Sequence, residues 1–484
     1  MDNYIIDNFN YSLLEKIGSP CHKYTTKFVL NQINTETDKG KNLILLRKYL
    51  KVFGDNGLSS NIIIPIIDYT NKKNIRELII INNPEDVENL VENHIKKIPN
   101  LKPFVFDSII STTDNKHWRD QRSDYQPAFS LENSLKFIIP ISNKCSIEAV
   151  NKLWNLSNNG KSEININEFF LNETHCQLQK AMFGFSDDFE KKSNKNIREV
   201  FNGNNKTYEK YIVKDLLNEI KKSNGPISKS LNNRKDNNKT KKEDAGNALI
   251  FSFAGHDTTG NTLTWLIYEI SKNKIYQKKL HDEVDSFWKQ QKRKEIEYND
   301  FKRLPFMTRC IMETLRLRTP LPNGTYRELE KDEYITGLNN NKVKILKGTY
   351  IQIPNIFRHL DPNLWGDDVM IFNPDREFKD EELWDNTVIN LYNPATSRFS
   401  PFTYGPRDCI GKNFSQIEIR IILIHLLKNF SFSLTDKQLN KYNEEDICHN
   451  SFTMGPRNIY NKSLYQKTLG MYVTISKRKN LSKL

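Results

Sequence analysis

The chain has 484 residues, 27% charged and 37% hydrophobic, which is enough apolar material for a large core, and its 19 Gly and 18 Pro exclude a fibrous or low-complexity chain. Lys and Arg number 72 against 59 Asp and Glu, a formal charge of +13. Much of that excess lies in polar Asn/Lys stretches such as Lys191–Lys195 and Arg234–Lys242, which read as solvated loops rather than a clustered nucleic-acid footprint.

Residues 1–41 read as an N-terminal extension. It starts Met1-Asp2-Asn3-Tyr4 and shows no signal-peptide core. Leu43–Phe53 has the spacing of a short amphipathic helix, and Asn61–Tyr69 and Arg76–Asn82 read as two strands. The strongest apolar stretches, Ile62–Ile67 and Leu78–Ile81, are far shorter than the roughly 20 residues of a bilayer span, so no transmembrane helix is expected. Asn83-Pro84-Glu85-Asp86 is a helix start, with a cap residue, Pro in the first turn and acids at the positive end of the dipole. Helical patterns dominate Leu131–Phe183. Residues 184–245 are the least ordered by composition, with a short helix near Tyr211–Lys222. Ala245–Lys274 is apolar on several sides and belongs in the interior. Asp300–Arg318 is helical, Lys342–Leu346 and Tyr350–Ile353 are short strands, and a final helix spans Lys412–Asn429. The expected class is mainly α with a smaller β portion (α+β), in one domain over residues 42–484.

Six cysteines are spread without a CxxC, which argues against a disulfide framework or a zinc site and fits a reducing compartment. One has a distinctive context. In Phe402-x-x-Gly405-x-Arg407-x-Cys409-x-Gly411, the glycines permit tight or positive-φ backbone around a single thiol. The helix that follows puts its dipole and free amides near the sulfur, and Arg407 adds positive charge, an environment that favours a thiolate. From these residues alone a structural cysteine beside a turn stays the alternative. Ala254-Gly255-His256-Asp257-Thr258-Thr259 is a second anomaly. A glycine, an acid and two hydroxyls inside an apolar helix carry costs that need a reason. Further along, Glu313 and Arg316 sit at i and i+3 on one helix face, Arg376 lies in Phe372-Asn373-Pro374-Asp375-Arg376, and Trp118 and Arg122 form a Trp-x-x-x-Arg pattern.

In this order and near these separations, the motifs resemble those of the cytochrome P-450 family, and the resemblance covers about residues 42–484. It implies a long central helix over haem, with small sheets near the N-terminal third and the C-terminus. It further implies haem b with the Cys409 thiolate as axial ligand, held in a loop shaped by Phe402, Gly405 and Gly411, and electron donation from sulfur that favours O–O cleavage. Trp118, Arg122 and Arg407 are then expected at the haem propionates, for which a guanidinium fork is suited. Thr258 and Asp257 are expected to handle oxygen and its protons, His256 occupies a variable position, and Glu313, Arg316 and Arg376 are structural. Glu377 stands where the family reads Phe directly after Arg, a local departure. The implied reaction inserts one oxygen atom from O2 into an apolar organic substrate: a lipid, sterol or xenobiotic.

The sequence has no nicotinamide or flavin fingerprint, so electrons are expected from a partner, an NADPH-dependent flavoprotein reductase or another donor. Lys116, Arg119 and Lys412 are candidate docking cations. Substrate contacts are expected from Pro103–Asn115, Phe251–Phe253 and Pro320–Thr325. Two rivals are a peroxide-rearranging haem-thiolate enzyme, which would not need Asp257 and Thr258, and a basic nucleic-acid binder, which would need clustered cations with aromatics. A cytoplasmic location or the cytosolic face of the endoplasmic reticulum, with peripheral membrane contact, is expected.

Overall fold

The computed structural model describes residues 61–67, 75–130, 134–201, 211, 214–234, 240–291, 295–337, 340–379, 382, 396–403, 405–440, 448–450, 453–456 and 470–478. The 1–41 extension and the Leu43–Phe53 helix lie outside them. Strands β1 (Ile62–Ile67) and β2 (Ile75–Ile80) pair antiparallel. Helix α1 (Pro84–Asn93) begins where the sequence predicts, because the Asn83 side chain accepts from the amides of Glu85 (3.0 Å) and Asp86 (3.2 Å). Helices α2 (Asn115–Tyr125), α3 (Lys136–Leu156) and α4 (Ile166–Gln177) follow. A π-helical turn, Leu178–Phe183, continues α4.

The stretch expected to be least ordered holds helices α5 (Asp187–Phe201) and α6 (Pro226–Asn233). Their polar composition hid a workable 3.6-residue period. Helix α7 (Lys241–Lys272) starts four residues before its predicted position, since Thr240 accepts from the Glu243 amide at 3.1 Å and acids occupy the first turn. Helix α8 (Lys274–Gln290) is an element the sequence reading did not anticipate. The predicted Asp300–Arg318 helix is two pieces, a 3-10 turn Tyr298–Arg303 and α9 (Pro305–Leu317). Pro305 cannot donate to the preceding turn, so it opens a new helix instead of continuing one.

Strands β3 (Thr325–Glu328) and β4 (Tyr350–Ile353) complete a sheet of order β1-β2-β4-β3, in which only β2 and β4 run parallel. Helix α10 (Lys412–Asn429) leads into β5 (Phe430–Leu434); β6 (Cys448–Asn450) and β7 (Met454–Pro456) form a hairpin; and β8 (Tyr472–Lys477) pairs antiparallel with β5. The molecule is mainly α with small sheets, as the sequence predicts.

Two helices make the centre. Helix α10 buries residues on all its faces, from Phe414 through Ile417, Ile421 and Ile424 to Leu427. Helix α7 is buried from Phe251 to Ser271 except at Phe253–Gly255 and Asp257–Thr258. A helix enclosed by neighbours that opens only over one and a half turns is facing internal space there. Among the described residues no helix is long and apolar enough to cross a membrane.

Candidate active site

The Cys409 loop is built on hydrogen bonds and one forced backbone. The Cys409 amide donates to the Phe402 carbonyl at 3.0 Å, closing the loop. Gly405 has φ +74°, and a Cβ there would stand 2.5 Å from Val91 Cγ1 on α1, so a side chain is excluded twice over. Gly411 has an ordinary φ of −87° and caps α10. A Cβ there would lie 4.0 Å from the Cys409 sulfur, an ordinary contact. The sulfur accepts a hydrogen bond from the Gly411 amide.

Among the described thiols Cys145, Cys176 and Cys310 are buried, and Cys409 is exposed. Burial nonetheless pushes the Cys409 thiol up, as does the Asp408 carboxylate, against the Gly411 amide and the cations Arg122 and Lys412. Exposure with desolvation describes a thiol on the wall of a cavity. A cation bound on the open side would reverse the balance towards thiolate.

Asp408, unremarked in the sequence reading, pins this loop to α2. Arg122 donates to its carbonyl (2.8 Å) and to its Oδ1 (2.7 Å), and Lys412 donates to its Oδ2 (2.7 Å). The geometry therefore commits Arg122 to the loop itself. Trp118 is buried, and the Arg407 guanidinium lies 4.6 Å from its ring centroid.

Arg407 is the first of three cations gathered beside the loop. It is buried and spends one Nη2–H on the Thr112 carbonyl at 3.2 Å, leaving Nε and Nη1 without partners. Arg327 on β3 is 1% exposed, donates through Nη1 to Thr325 Oγ1 and the Tyr326 carbonyl, and has an unpartnered Nε. Lys97 donates to Thr325 Oγ1 at 2.7 Å. Burial lowers both guanidinium pKa values to about 9, and for Arg407 the charge of Arg327 lowers it further, with Glu330 as the opposing carboxylate. Lys97 is lowered by burial and then by both arginines.

Buried donors without acceptors and cations without sufficient counter-charge are costly unless an anion joins them. Two carboxylates on the edge of a bound porphyrin would fit that demand. Sequence reasoning found Arg407 and missed Arg327 and Lys97, because nothing local marks them; Arg327 arrives on β3 and Lys97 through its hydrogen bond to Thr325 of that strand.

One consequence has opposite signs in the two forms of the protein. Arg407→Leu removes an unsatisfied buried cation from the apoprotein, which should melt higher than wild type, whereas the haem-loaded variant should lose haem about 10–100-fold more readily for want of charged hydrogen bonds. Thermal melts of both apoproteins check this, and a variant that melts no higher than wild type would count against it.

The half-buried stretch of α7 carries Ala254, Gly255, Asp257 and Thr258, while His256 and Thr259 are buried. Thr258 Oγ1 donates to the Ala254 carbonyl at 2.8 Å, a back-bond of the kind that loosens a helix. Gly255 has a packing reason that the sequence did not show: a Cβ there would lie 2.8 Å from Leu178 Cδ1. His256 Nδ1 donates to the Ser252 carbonyl at 2.6 Å, and its ring packs on His175 at 4.8 Å between centroids. That ring is turned into the protein, 3% exposed.

Glu313, Arg316 and Arg376 meet in the interior. Arg316 grips Glu313 through Nε (2.8 Å) and Nη2 (2.7 Å) and gives Nη1 to the His359 carbonyl (2.8 Å). Arg376 reaches Glu313 at 3.2 Å and Asp368 at 2.8 Å. His359, kept neutral by burial and the neighbouring Arg358 and Arg316, accepts from the Ser400 amide at 3.1 Å. The lock thus runs from α9 through His359 to Ser400, two residues before Phe402.

The cytochrome P450 family model matches residues 212–462, over half of the chain. Similar proteins include human cytochrome P450 4F8 (27% identical, covering 76% of this chain and 76% of that protein) and Medicago truncatula cytochrome P450 72A68 (25%, covering 74% of each). Another is a putative cytochrome P450, CYP13A2, of Caenorhabditis elegans, 33% identical over 40% of this chain and 34% of its own length.

This chain therefore belongs to the cytochrome P450 family. It is a haem-thiolate monooxygenase that binds haem b through a cysteine thiolate and inserts one oxygen atom from O2 into an apolar organic substrate, drawing electrons from a separate protein.

Proposed function

We propose that Cys409 is the axial thiolate, carried by one observation: among the described thiols it is exposed, at the N-terminus of α10, beside buried guanidinium groups with unpartnered nitrogens. Arg407, Arg327 and Lys97 would hold the propionates, with Trp118 stacking on Arg407 and Arg122 fixing the loop through Asp408. The haem, when bound, supplies the oxygen-activating chemistry; the surrounding residues hold and orient it. Gly411 donates an amide hydrogen to the sulfur, which tempers its charge. Thr258 and Asp257 face the internal space of α7, where a hydroxyl and a carboxyl can hold a water and pass protons to a neighbouring oxygen atom. The reduced, carbon monoxide-bound absorption spectrum tests the assignment. A strongly red-shifted Soret band is expected, and bound haem without the shift would remove the thiolate from the iron.

The electron donor on this reading is an NADPH-dependent flavoprotein reductase docking over α2 and the Cys409 loop. Supporting it, Lys116 and Arg119 are exposed, and Arg119 lines a surface cleft of about 440 Å³ with Trp118, Arg122 and Ser123. Lys412 is already spent on Asp408, so it is the poorer docking cation. Arg119→Glu should raise the KM for an acidic reductase several-fold and flatten its dependence on salt, leaving peroxide-driven turnover unchanged. An unaltered KM and salt profile would move the docking face elsewhere.

A further inference from the structure

The Asp257 carboxylate does not stand alone on α7. Thr453, in the turn between β6 and β7, donates its hydroxyl to Asp257 Oδ2, and the Asn261 amide approaches the same oxygen at 3.3 Å and Thr453 Oγ1 at 3.4 Å. Asn261 has only one way to face. Its own carbonyl oxygen accepts from Asn167 Nδ2 on α4 at 2.9 Å, which turns its NH2 towards Asp257. Asn167 is fixed in turn by Thr264 Oγ1 at 3.1 Å, and Thr264 by the Gly260 carbonyl at 2.8 Å. Asn167, Asn261, Thr264 and Thr453 are all 5% exposed or less, so nothing in the chain is left to solvent to arrange.

The hairpin that brings Thr453 is itself held from two sides. The Met454 carbonyl accepts from Trp265 Nε1 on α7 at 3.1 Å, and the Met454 amide donates to the Pro320 carbonyl at 3.0 Å. Thr453 therefore connects the acid of α7 to the Pro320–Thr325 segment, one of the expected substrate-contact stretches.

We propose that Thr453, backed by Asn261, is a positioning residue that sets the orientation of the Asp257 carboxylate, so that the hairpin next to the substrate segment governs when that acid can deliver a proton. The inference rests on the proton role proposed for Asp257. A donor that grips one carboxylate oxygen through a charge-assisted hydrogen bond holds the acid in a single rotamer. Displacing the hairpin by a fraction of an ångström would break that grip without moving α7. A hairpin serving only as packing would need neither the hydroxyl nor the oriented amide.

The test uses the full-length, haem-loaded protein and two readouts. One is the stretching band of carbon monoxide on the reduced protein, which reads the field of the side chains facing the gas. The other is the share of reductant electrons released as hydrogen peroxide, with the solvent deuterium isotope effect on turnover. Thr453→Val keeps the shape and removes the donor, Thr453→Ser restores it, and Asn261→Asp replaces a donor by a second carboxylate. Expected for Thr453→Val and Asn261→Asp are a shifted or split band, a several-fold rise in peroxide and an isotope effect altered in the same sense as in Asp257→Asn, with Thr453→Ser close to wild type. Intact folding is read from the amplitude of the carbon monoxide Soret band. If Asp257→Asn is impaired while Thr453→Val and Asn261→Asp match wild type in both readouts, the positioning role is overturned alone. If Asp257→Asn itself matches wild type, the proton role of Asp257 falls and this inference with it.

Discussion

Cys409→Ser is expected to abolish the red-shifted Soret band of the reduced, carbon monoxide-bound protein and to cut monooxygenase turnover at least about a thousandfold, equivalent to ~4 kcal/mol of barrier. An alcohol in this loop has a far higher pKa than a thiol, and neither the Gly411 amide nor the Arg122 and Lys412 cations would ionise it. The hydroxyl would also be a hard oxygen donor that cannot push electron density as sulfur does. Control substitutions sharpen the result. Cys145→Ser, Cys176→Ser and Cys310→Ser change buried thiols, two of which, Cys176 and Cys310, are held protonated by their surroundings, and should leave the band position where it is. A shifted band surviving in Cys409→Ser, or lost in Cys310→Ser, would place the ligand elsewhere.

Glu313→Ala should be nearly as damaging by a different route. The substitution leaves two buried guanidinium groups, Arg316 at 0% and Arg376 at 8% exposure, without their shared carboxylate. Breaking a buried pair in this way costs about 3–5 kcal/mol, because an uncompensated charge is left behind. Arg376 keeps Asp368, so the larger loss falls on Arg316, which retains the His359 carbonyl as an acceptor. The melting temperature of the haem-loaded protein should fall on the order of 5 °C or more, with haem content falling in parallel. Arg316→Lys should recover little, since an ammonium cannot reproduce the paired contacts at 2.7 and 2.8 Å. Unchanged stability and haem content in Glu313→Ala would show that the lock is not what holds the Cys409 loop.

The two predictions draw on unequal parts of the sequence. The Cys409 loop was legible because its requirements are local. A positive φ at Gly405, a helix starting at Lys412 and a closing amide bond to Phe402 are all settled within ten residues. The pairing of Glu313 with Arg316 was legible for the same reason, one helical turn. Arg376 needed the resemblance, since it stands 63 positions from its partner Glu313. Within residues 184–245 the expected short helix near Tyr211–Lys222 is present as Leu217–Lys222, whereas helices α5 and α6 were missed because they are rich in polar residues and their stability comes from packing rather than propensity.

What the sequence by itself determined is which groups are proposed to react and the elements that carry them: the thiol of Cys409 at a helix start, Asp257 and Thr258 in a helix too apolar for them, and the order of motifs between. Those depend on backbone rules and periodicity that act over a few residues. Only the tertiary structure decided their surroundings. Arg327, Lys97 and Arg407 became one cluster because Arg327 lies on β3 and Lys97 bonds Thr325 of the same strand, with Glu330 as the carboxylate opposing the two arginines. Asp408 became the anchor of the loop, and Thr453 the partner of Asp257 across 196 residues. Contacts at such separation leave no period or spacing in a single chain, because it is the packing of whole elements, driven by the burial of their apolar faces, that chooses which polar groups meet.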